Sequence, residues 1–403
     1  MVGLSRRVRS VFKDQEKLFP SHIPETLPHR EKQIGILDLL FEGFLSKPGQ
    51  TYQRIVQVYG PVGSGKTCTV YRFGLRYQKV CRERGINLRY VHINCKLEAK
   101  SRFVLYRTLL AKGTPEISTR GHSPEEMLRL MVVYLRHKEQ YLLIALDDVD
   151  YLVKRMKEEE NKEGGVIYDL TRLNEIFHGE FSNIVGVIFI ARDPSFLDLL
   201  EPAERSTLGN IVIRLPRYDE RQLRDILAAR VEEAFQPGAV GDEIIDYVAE
   251  LAARKKQEPG DCRFALDVLL AAGLMADSDW SSVVTLEHVR RALSETYWGL
   301  STDDLMTLDD QDVIVLRAVI HALQAENTPY VSINSLHEFY NVECESQNVK
   351  PLSYNSLRER VKDLFFRGIL DYVEGRGVGI AGASLEDLSI FLKNLERGRR
   401  FAL

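Results

Sequence analysis

Gly60-Pro61-Val62-Gly63-Ser64-Gly65-Lys66-Thr67 places three glycines ahead of a lysine and a hydroxyl. Glycine lets a backbone turn tightly and bring its amides close to an anion; lysine adds positive charge, and a threonine oxygen can ligate a hard divalent cation. That combination is phosphate-binding chemistry. Loop amides and the N-terminus of a following helix, which Cys68 continues, would surround the phosphates, Lys66 would neutralise the β- and γ-phosphates, and Thr67 would hold Mg2+. The plain alternative is a glycine-rich turn with an incidental lysine. Context separates the two readings, because the apolar run RIVQVY (residues 54–59) precedes the loop and a segment of helical periodicity follows it.

A cation held by one threonine needs a carboxylate as well. The segment YLLIALDDVD (residues 141–150) supplies an apolar strand ending in Asp147 and Asp148. Paired aspartates often just close a strand in a turn. Beside the phosphate loop they read as a metal-side carboxylate, Asp147, and a base for water, Asp148. The expected ligands are ATP or ADP with Mg2+.

These residues need a scaffold. Short β-branched or apolar runs at 54–59, 88–94, 141–147, 184–191 and 210–215 alternate with helical segments, which predicts a three-layer α/β domain around a mostly parallel sheet. After Pro216 only helical periodicity remains, at 219–235, 242–256, 261–277 and 285–298. Beyond residue 305, helices at 311–325, about 333–340 and 354–367 lead through Gly368 into the strand ILDYV. The glycine-punctuated EGRGVGIAG then forms a hairpin tip and a return strand, which together describe a winged helix. The expected division is 1–216 for the nucleotide domain, 217–300 for a helical lid and 305–403 for the winged helix. The charged stretch 154–165 is expected to be a solvated loop.

Composition narrows the classes. A chain of 403 residues with 44% hydrophobic and 28% charged residues fits a multidomain globular protein, and no apolar run is long enough for a membrane span. The start, MVGLSRRVRSVF, lacks a secretory signal's apolar core, so a cytoplasmic protein without membrane partners is expected. Five cysteines show no zinc or disulfide spacing. A net charge of −4 argues against coating nucleic acid through bulk charge, so DNA binding must be local.

Further segments resemble one family, the archaeal replication initiators related to the eukaryotic origin-recognition and helicase-loading AAA+ ATPases. IPETLPHREKQI before the first strand, LDDVDYL, PRYDERQLRDILAARVEEAF after the fifth strand, GDCRFALDVLLAAG and the terminal winged helix follow that family's order along nearly the whole chain. The resemblance implies that Pro24, Leu27, His29 and Arg30 lie against the adenine. It also implies that Arg263 is a sensor reaching the γ-phosphate, in keeping with its place in the first turn of a helix opened by Asp261. AAA+ proteins usually carry glutamate where Asp148 stands; the shorter side chain withdraws the base, so slow hydrolysis is expected. Two further departures stand out. Ala191-Arg192-Asp193 replaces a serine–asparagine–aspartate run, and Arg192 either binds the γ-phosphate or faces solvent. In PAERSTLGN the proline–arginine pair of an arginine finger is Pro202 and Ala203, with Arg205 two places on.

For DNA, Arg358, Arg360, Lys362 and Arg367 lie on or near the third helix of the winged unit, and Arg376 sits between two glycines at the hairpin tip. That arrangement suits a helix in the major groove and a tip arginine in the minor groove. Residues 305–403 nevertheless hold 11 Lys/Arg against 14 Asp/Glu, so a winged helix that binds protein stays open as an alternative. Family members also place an insertion after the second strand on DNA, here residues 97–121 with Lys100, Arg102, Arg107 and Lys112. The resemblance thus implies a nucleoid-associated, ATP-regulated initiator whose partners are double-stranded origin DNA, the replicative helicase and other initiator paralogues. Rival classes are a signal-transducing ATPase and a processive nucleic-acid motor. Asp148 and the altered finger segment argue against the motor.

Overall fold

Five of the apolar runs become β1 (Arg54–Tyr59), β2 (Leu88–Asn94), β3 (Tyr141–Asp147), β4 (Ile184–Ala191) and β5 (Val212–Arg214) in the computed structural model. It describes residues 10–158, 165–176, 181–255, 258–296, 305, 308–380 and 382–401. Two compact units result. One comprises Ile23–Ile226 with Ala252–Cys262; the other comprises the described residues up to His22, Leu227–Leu251 and those from Arg263 onward.

In the first unit the five strands form one parallel sheet ordered β2-β3-β4-β1-β5. Helices cover both faces, so β3 and β4 read as continuous apolar runs rather than alternating ones. Alternate residues still go to opposite cores: Leu142, Ile144 and Leu146 pack with helices Arg102–Gly113 and Pro124–His137, while Leu143 and Ala145 pack with Glu31–Ser46 and Lys66–Glu83. Along β4 the alternation slips by one at Gly186, between Val185 on one side and Val187 on the other. The register between β3 and β4 shifts there, as a bulge requires, and a Cβ on Gly186 would lie 2.6 Å from the Phe41 ring. β1 and β3 flank β4, so the turns leaving all three open on one edge, where parallel sheets bind ligands.

The second unit holds the winged helix. Helices Asp310–Glu326, Ile333–Ser346 and Tyr354–Phe366 enclose a core with a three-stranded antiparallel sheet of β6 (Tyr330–Val331), β7 (Asp371–Val373) and β8 (Gly377–Gly379), in the order β6-β8-β7. Asp309 caps the first of these helices in a reciprocal capping box with Asp312, and Ser332 and Ser353 cap the next two. β6 and the final helix Leu385–Phe401 are additions to the sequence expectation. So is the helix Val149–Glu158, which takes up the first part of the charged stretch expected to be a loop. The apolar spacing Val149, Leu152, Val153 continues the core past β3 and carries the charged residues with it; residues 159–164 lie outside the described residues.

Candidate nucleotide and nucleic-acid sites

β1 delivers the loop 60–65 directly into helix Lys66–Glu83. Gly63 and Gly65 take the left-handed conformation, at φ of 72° and 80°, that a side chain would oppose. Their other role is closeness: a Cβ on Gly63 would overlap the Asp261 carboxylate, and one on Gly65 would lie 2.6 Å from the Tyr218 hydroxyl. Val62 and Pro61 fill the outer turn, and Ser64 is buried with its hydroxyl donating to Pro61 O at 2.8 Å. The cap residue Gly65 brings no side chain to the first-turn amides of the helix, which keeps that N-terminus suited to an anion. Lys66 Nζ donates to the carbonyls of Gly60, at 2.6 Å, and Pro61, at 2.9 Å. Burial pulls the Lys66 pKa down, opposed by Asp147, Asp148 and Asp150.

Thr67 Oγ1 donates to Asp147 Oδ2 at 2.6 Å, so the two oxygens expected on Mg2+ are adjacent. An oxygen-only donor pair beside a phosphate loop fits that hard cation. Asp147 is 2% exposed. Burial works to raise its pKa, but contacts from His92 and Thr67 and the Asp148 amide, 3.0 Å from Oδ1, outweigh it and hold the carboxyl below its ordinary value. Asp148 sits in the left-handed region at φ 52°, a strained backbone for a non-glycine residue at the end of a strand. Its Oδ2 accepts from Asn94 Nδ2 at 3.2 Å. Asn94 is oriented by its own oxygen, which caps the amides of Lys96 and Leu97. Burial, then the charge of Asp148, raises Asp150 above its ordinary value.

The segment expected against the adenine has another task at Arg30. Its guanidinium is buried, donates to Ser64 O at 3.1 Å from Nε and 2.8 Å from Nη2, reaches His29 O and Pro216 O, and stacks 3.8 Å from the Tyr218 ring centre. Arg30 thus braces the phosphate loop from behind. Burial is the main influence lowering its pKa. His29, at φ 65°, pairs with Asp225 at 2.8 Å, Pro24 is buried, and Leu27 O accepts from the Arg30 amide. Cys68 is half-buried in the first turn after the loop.

Asp261 and the Cys262 amide close on Gly63, the amide donating to Gly63 O at 3.3 Å. Arg263 follows in the first turn of helix Cys262–Ser278 with an exposed side chain. Arg192 is exposed too, while its carbonyl accepts from the Gly60 amide at 3.1 Å, next to the start of the loop. Arg205 donates to Leu197 O and pairs with Asp198 at 3.1 Å. His92, Tyr90 and Asn94 of β2 reach the site although no motif marked them; their only trace in the sequence is polar groups at period two in LRYVHIN.

Among the nucleic-acid candidates, Arg102 requires correction. It is buried, donates from Nε to Asp169 at 2.8 Å and pairs with Glu125 at 2.6 Å, so it ties helices together and presents no charge to DNA. Lys112 is engaged by Glu98 and His92 O, whereas Lys100 and Arg107 are exposed. In the winged helix Arg358 is exposed and Lys362 pairs with Glu359 at 2.9 Å. Arg360 does not form part of an open basic face. It bonds Asp309 and Asp312 at 2.7 and 2.6 Å, and Arg367 adds a contact to Asp312 at 3.1 Å. Arg376 occupies the β7–β8 turn as expected, yet its Nη1 lies 2.6 Å from Glu250, a carboxylate with 0% exposure in helix Asp242–Arg254.

Comparison with known proteins agrees with this anatomy. Residues 50–200 match the profile of an AAA domain, residues 224–294 that of a Cdc6 AAA+ ATPase-type lid domain, and residues 303–381 that of the Cdc6 C-terminal winged helix domain. The ORC1-type DNA replication protein 2 of Sulfurisphaera tokodaii is 31% identical over 386 residues, covering 94% of this chain and 90% of that one. The crystal structure of Cdc6p from Pyrobaculum aerophilum aligns with a TM-score of 0.80 at 25% identity, over 97% of this chain and 100% of that one. The Aeropyrum pernix ORC1 protein, solved in complex with DNA, aligns with a TM-score of 0.59 at 24% identity, over 97% and 98%.

Proposed function

The chain belongs to the ORC1-type and Cdc6 family of DNA replication proteins, and from that premise we propose that it is an ATP-regulated initiator that binds origin DNA and helps recruit or load the replicative helicase. The observation that carries the reading is the junction of Thr67 with Asp147 at 2.6 Å behind a glycine loop that runs from β1 straight into the N-terminus of helix Lys66–Glu83. A bound nucleotide with Mg2+ would supply the γ-phosphate as a charge that distinguishes ATP from ADP. Loop amides and Lys66 would hold phosphate, Thr67 and Asp147 would hold the cation, and Arg263 would respond to the γ-phosphate. Asp148 would be a weak base, since it is one carbon shorter than glutamate and its carboxylate is bonded by Asn94. Slow hydrolysis suits a switch better than a motor. The boundaries proposed for the parts are 1–216, 217–300 and 305–403, and other initiator paralogues are proposed as partners in assembly.

DNA would be met by the winged helix and by the segment after β2, through Arg358, Lys362, Arg376 and Lys100. That the Aeropyrum pernix ORC1 protein was solved in complex with DNA supports DNA as the ligand, without assigning the contacts to these elements. A second reading, a winged helix that binds protein, is favoured by the carboxylates that engage Arg360, Arg367 and Arg376. Footprinting on genomic fragments with ATP and with ADP separates the two. Protection at one or few loci supports the initiator, and its absence in both nucleotide states supports the protein-binding wing.

A further inference from the structure

We propose that His92 is a positioning residue for the magnesium-side carboxylate: from the neighbouring strand it holds Asp147 in the orientation that Mg2+ coordination needs. The inference rests on the nucleotide-site reading above and adds a residue that lies outside both motifs. In the register of β2 against β3, His92 stands opposite Ala145 and Asn94 opposite Asp147, so His92 is one pleat behind the carboxylate and on a strand that shares its edge. His92 Nε2 lies 3.5 Å from Asp147 Oδ2, at the outer limit of a hydrogen bond. That oxygen is the one that also receives the Thr67 hydroxyl.

The imidazole is held from its other side. Tyr90 Oη is 2.9 Å from His92 Nδ1, and the Tyr71 ring stands edge-on to it with centres 5.3 Å apart. A neutral imidazole has two arrangements of its proton. If Nδ1 donated to Tyr90, with the Tyr90 hydroxyl turned to Val70 O at 3.3 Å, a bare Nε2 lone pair would face a carboxylate. An ionised Asp147 selects the opposite arrangement, in which Tyr90 donates to Nδ1 and Nε2–H points at Oδ2. The chain Tyr90 to His92 to Asp147 then fixes one carboxylate oxygen, the Asp148 amide fixes the other, and their remaining lone pairs serve the cation. Groups that orient a ligating carboxylate typically govern metal affinity about 10- to 100-fold without touching the metal.

A histidine that only filled space would be replaced by phenylalanine without consequence for the cation. The test is therefore calorimetric titration of full-length parent, His92→Phe, His92→Gln and Tyr90→Phe with ATP, once in excess Mg2+ and once in EDTA. The quantity read is the ratio of the two affinities. His92→Phe is expected to lower that ratio about tenfold with the EDTA affinity unchanged. His92→Gln, whose amide N–H can reach Oδ2, is expected to stay near the parent. Tyr90→Phe, which keeps the ring and removes one hydroxyl, is expected to lower the ratio about threefold and serves if His92→Phe does not fold. A parental ratio in both phenylalanine variants overturns the proposal, as does an equal loss with and without Mg2+, which would mark a packing role. A parent that binds ATP equally well in Mg2+ and EDTA would overturn the assignment of Thr67 and Asp147, and His92 would fall with it.

Discussion

The phosphate loop and the wing tip each set a cation among glycines, but they give it different partners. Lys66 rests on the neutral carbonyls of Gly60 and Pro61, while Arg376 rests on Glu250, a carboxylate shut away from solvent. Trading a carbonyl for a phosphate leaves behind only a dipole; trading a buried carboxylate for a phosphate takes from an anion a cation that neutralises it. The first cation is poised for a ligand, whereas the second is held by its own chain. Arg360 and Arg102 follow the second pattern, one on Asp309 and Asp312, the other on Asp169 and Glu125. A cation's availability is thus set by what its neighbour would lose, which residue type alone does not reveal.

That contrast can be broken at several points. Arg102→Ala should show the largest effect, a loss of about 3 kcal/mol in denaturant unfolding, because it leaves the Asp169 carboxylate, which also accepts from the Tyr106 hydroxyl, without its cation. DNA affinity measured on the same variant should not change; a fall would return Arg102 to the contact set. Lys66→Ala should weaken ATP binding by calorimetry about 100-fold, the scale of a lost charge-assisted phosphate contact, with an unaltered unfolding midpoint. A midpoint that drops with the affinity would mean that the carbonyl contacts, and not a phosphate, are what the lysine is for.

At the wing, Arg376→Ala should weaken duplex binding by about 1 to 2 kcal/mol, and Glu250→Gln, which keeps the shape but removes the negative charge facing the arginine, should tighten it a few-fold at low salt. Equal affinity in Glu250→Gln and the parent would show that the pairing does not withhold Arg376 from DNA. The smallest effect concerns Asp309. Burial works to raise it, but Arg360 and the Asp312 amide outweigh that and hold it below its ordinary value of 3.8. A carboxyl lowered in the folded state adds stability above its unfolded pKa of about 4 and loses it as pH falls through the folded value. Asp309→Asn, which can still cap the helix, should therefore be slightly less stable than the parent at pH 7 and approach it as pH falls below the folded value. The side chain is 56% exposed, so solvent screens most of the gain.

Local chemistry made much of this molecule legible in advance. Glycines, a lysine and a strand ending in two aspartates announce the phosphate loop and its cation side within short windows, and the five strands follow from apolar runs of the right length. Legibility stops where a role depends on a distant partner. Asn94 meets Asp148 across 54 residues, Arg102 meets Asp169 across 67, and Arg376 meets Glu250 across 126. No local window carries the register that joins them. β6, at two residues, is too short to show a period, and the helix after β3 was hidden by charges on its outer face. The resemblance placed Arg30 in the adenine segment, but its brace on the phosphate loop depends on Ser64, Pro216 and Tyr218, which lie far along the chain.

Gly74 also limits the substitutions that inheritance can accumulate around this site. A Cβ at that position would overlap the Tyr90 ring, so helix Lys66–Glu83 can lie on β2 only while position 74 stays bare or position 90 gives up its aromatic ring. Tyr90 in turn supports His92, and His92 faces Asp147. A lineage that replaces the glycine must replace the tyrosine with it, and a histidine left at 92 would then have lost the hydroxyl that sets its proton. Positions 74, 90 and 92 are accordingly expected to change together among descendants of a common ancestor. Lys66, Thr67 and Asp147, which answer to the nucleotide and its cation, would stay constant through such an exchange.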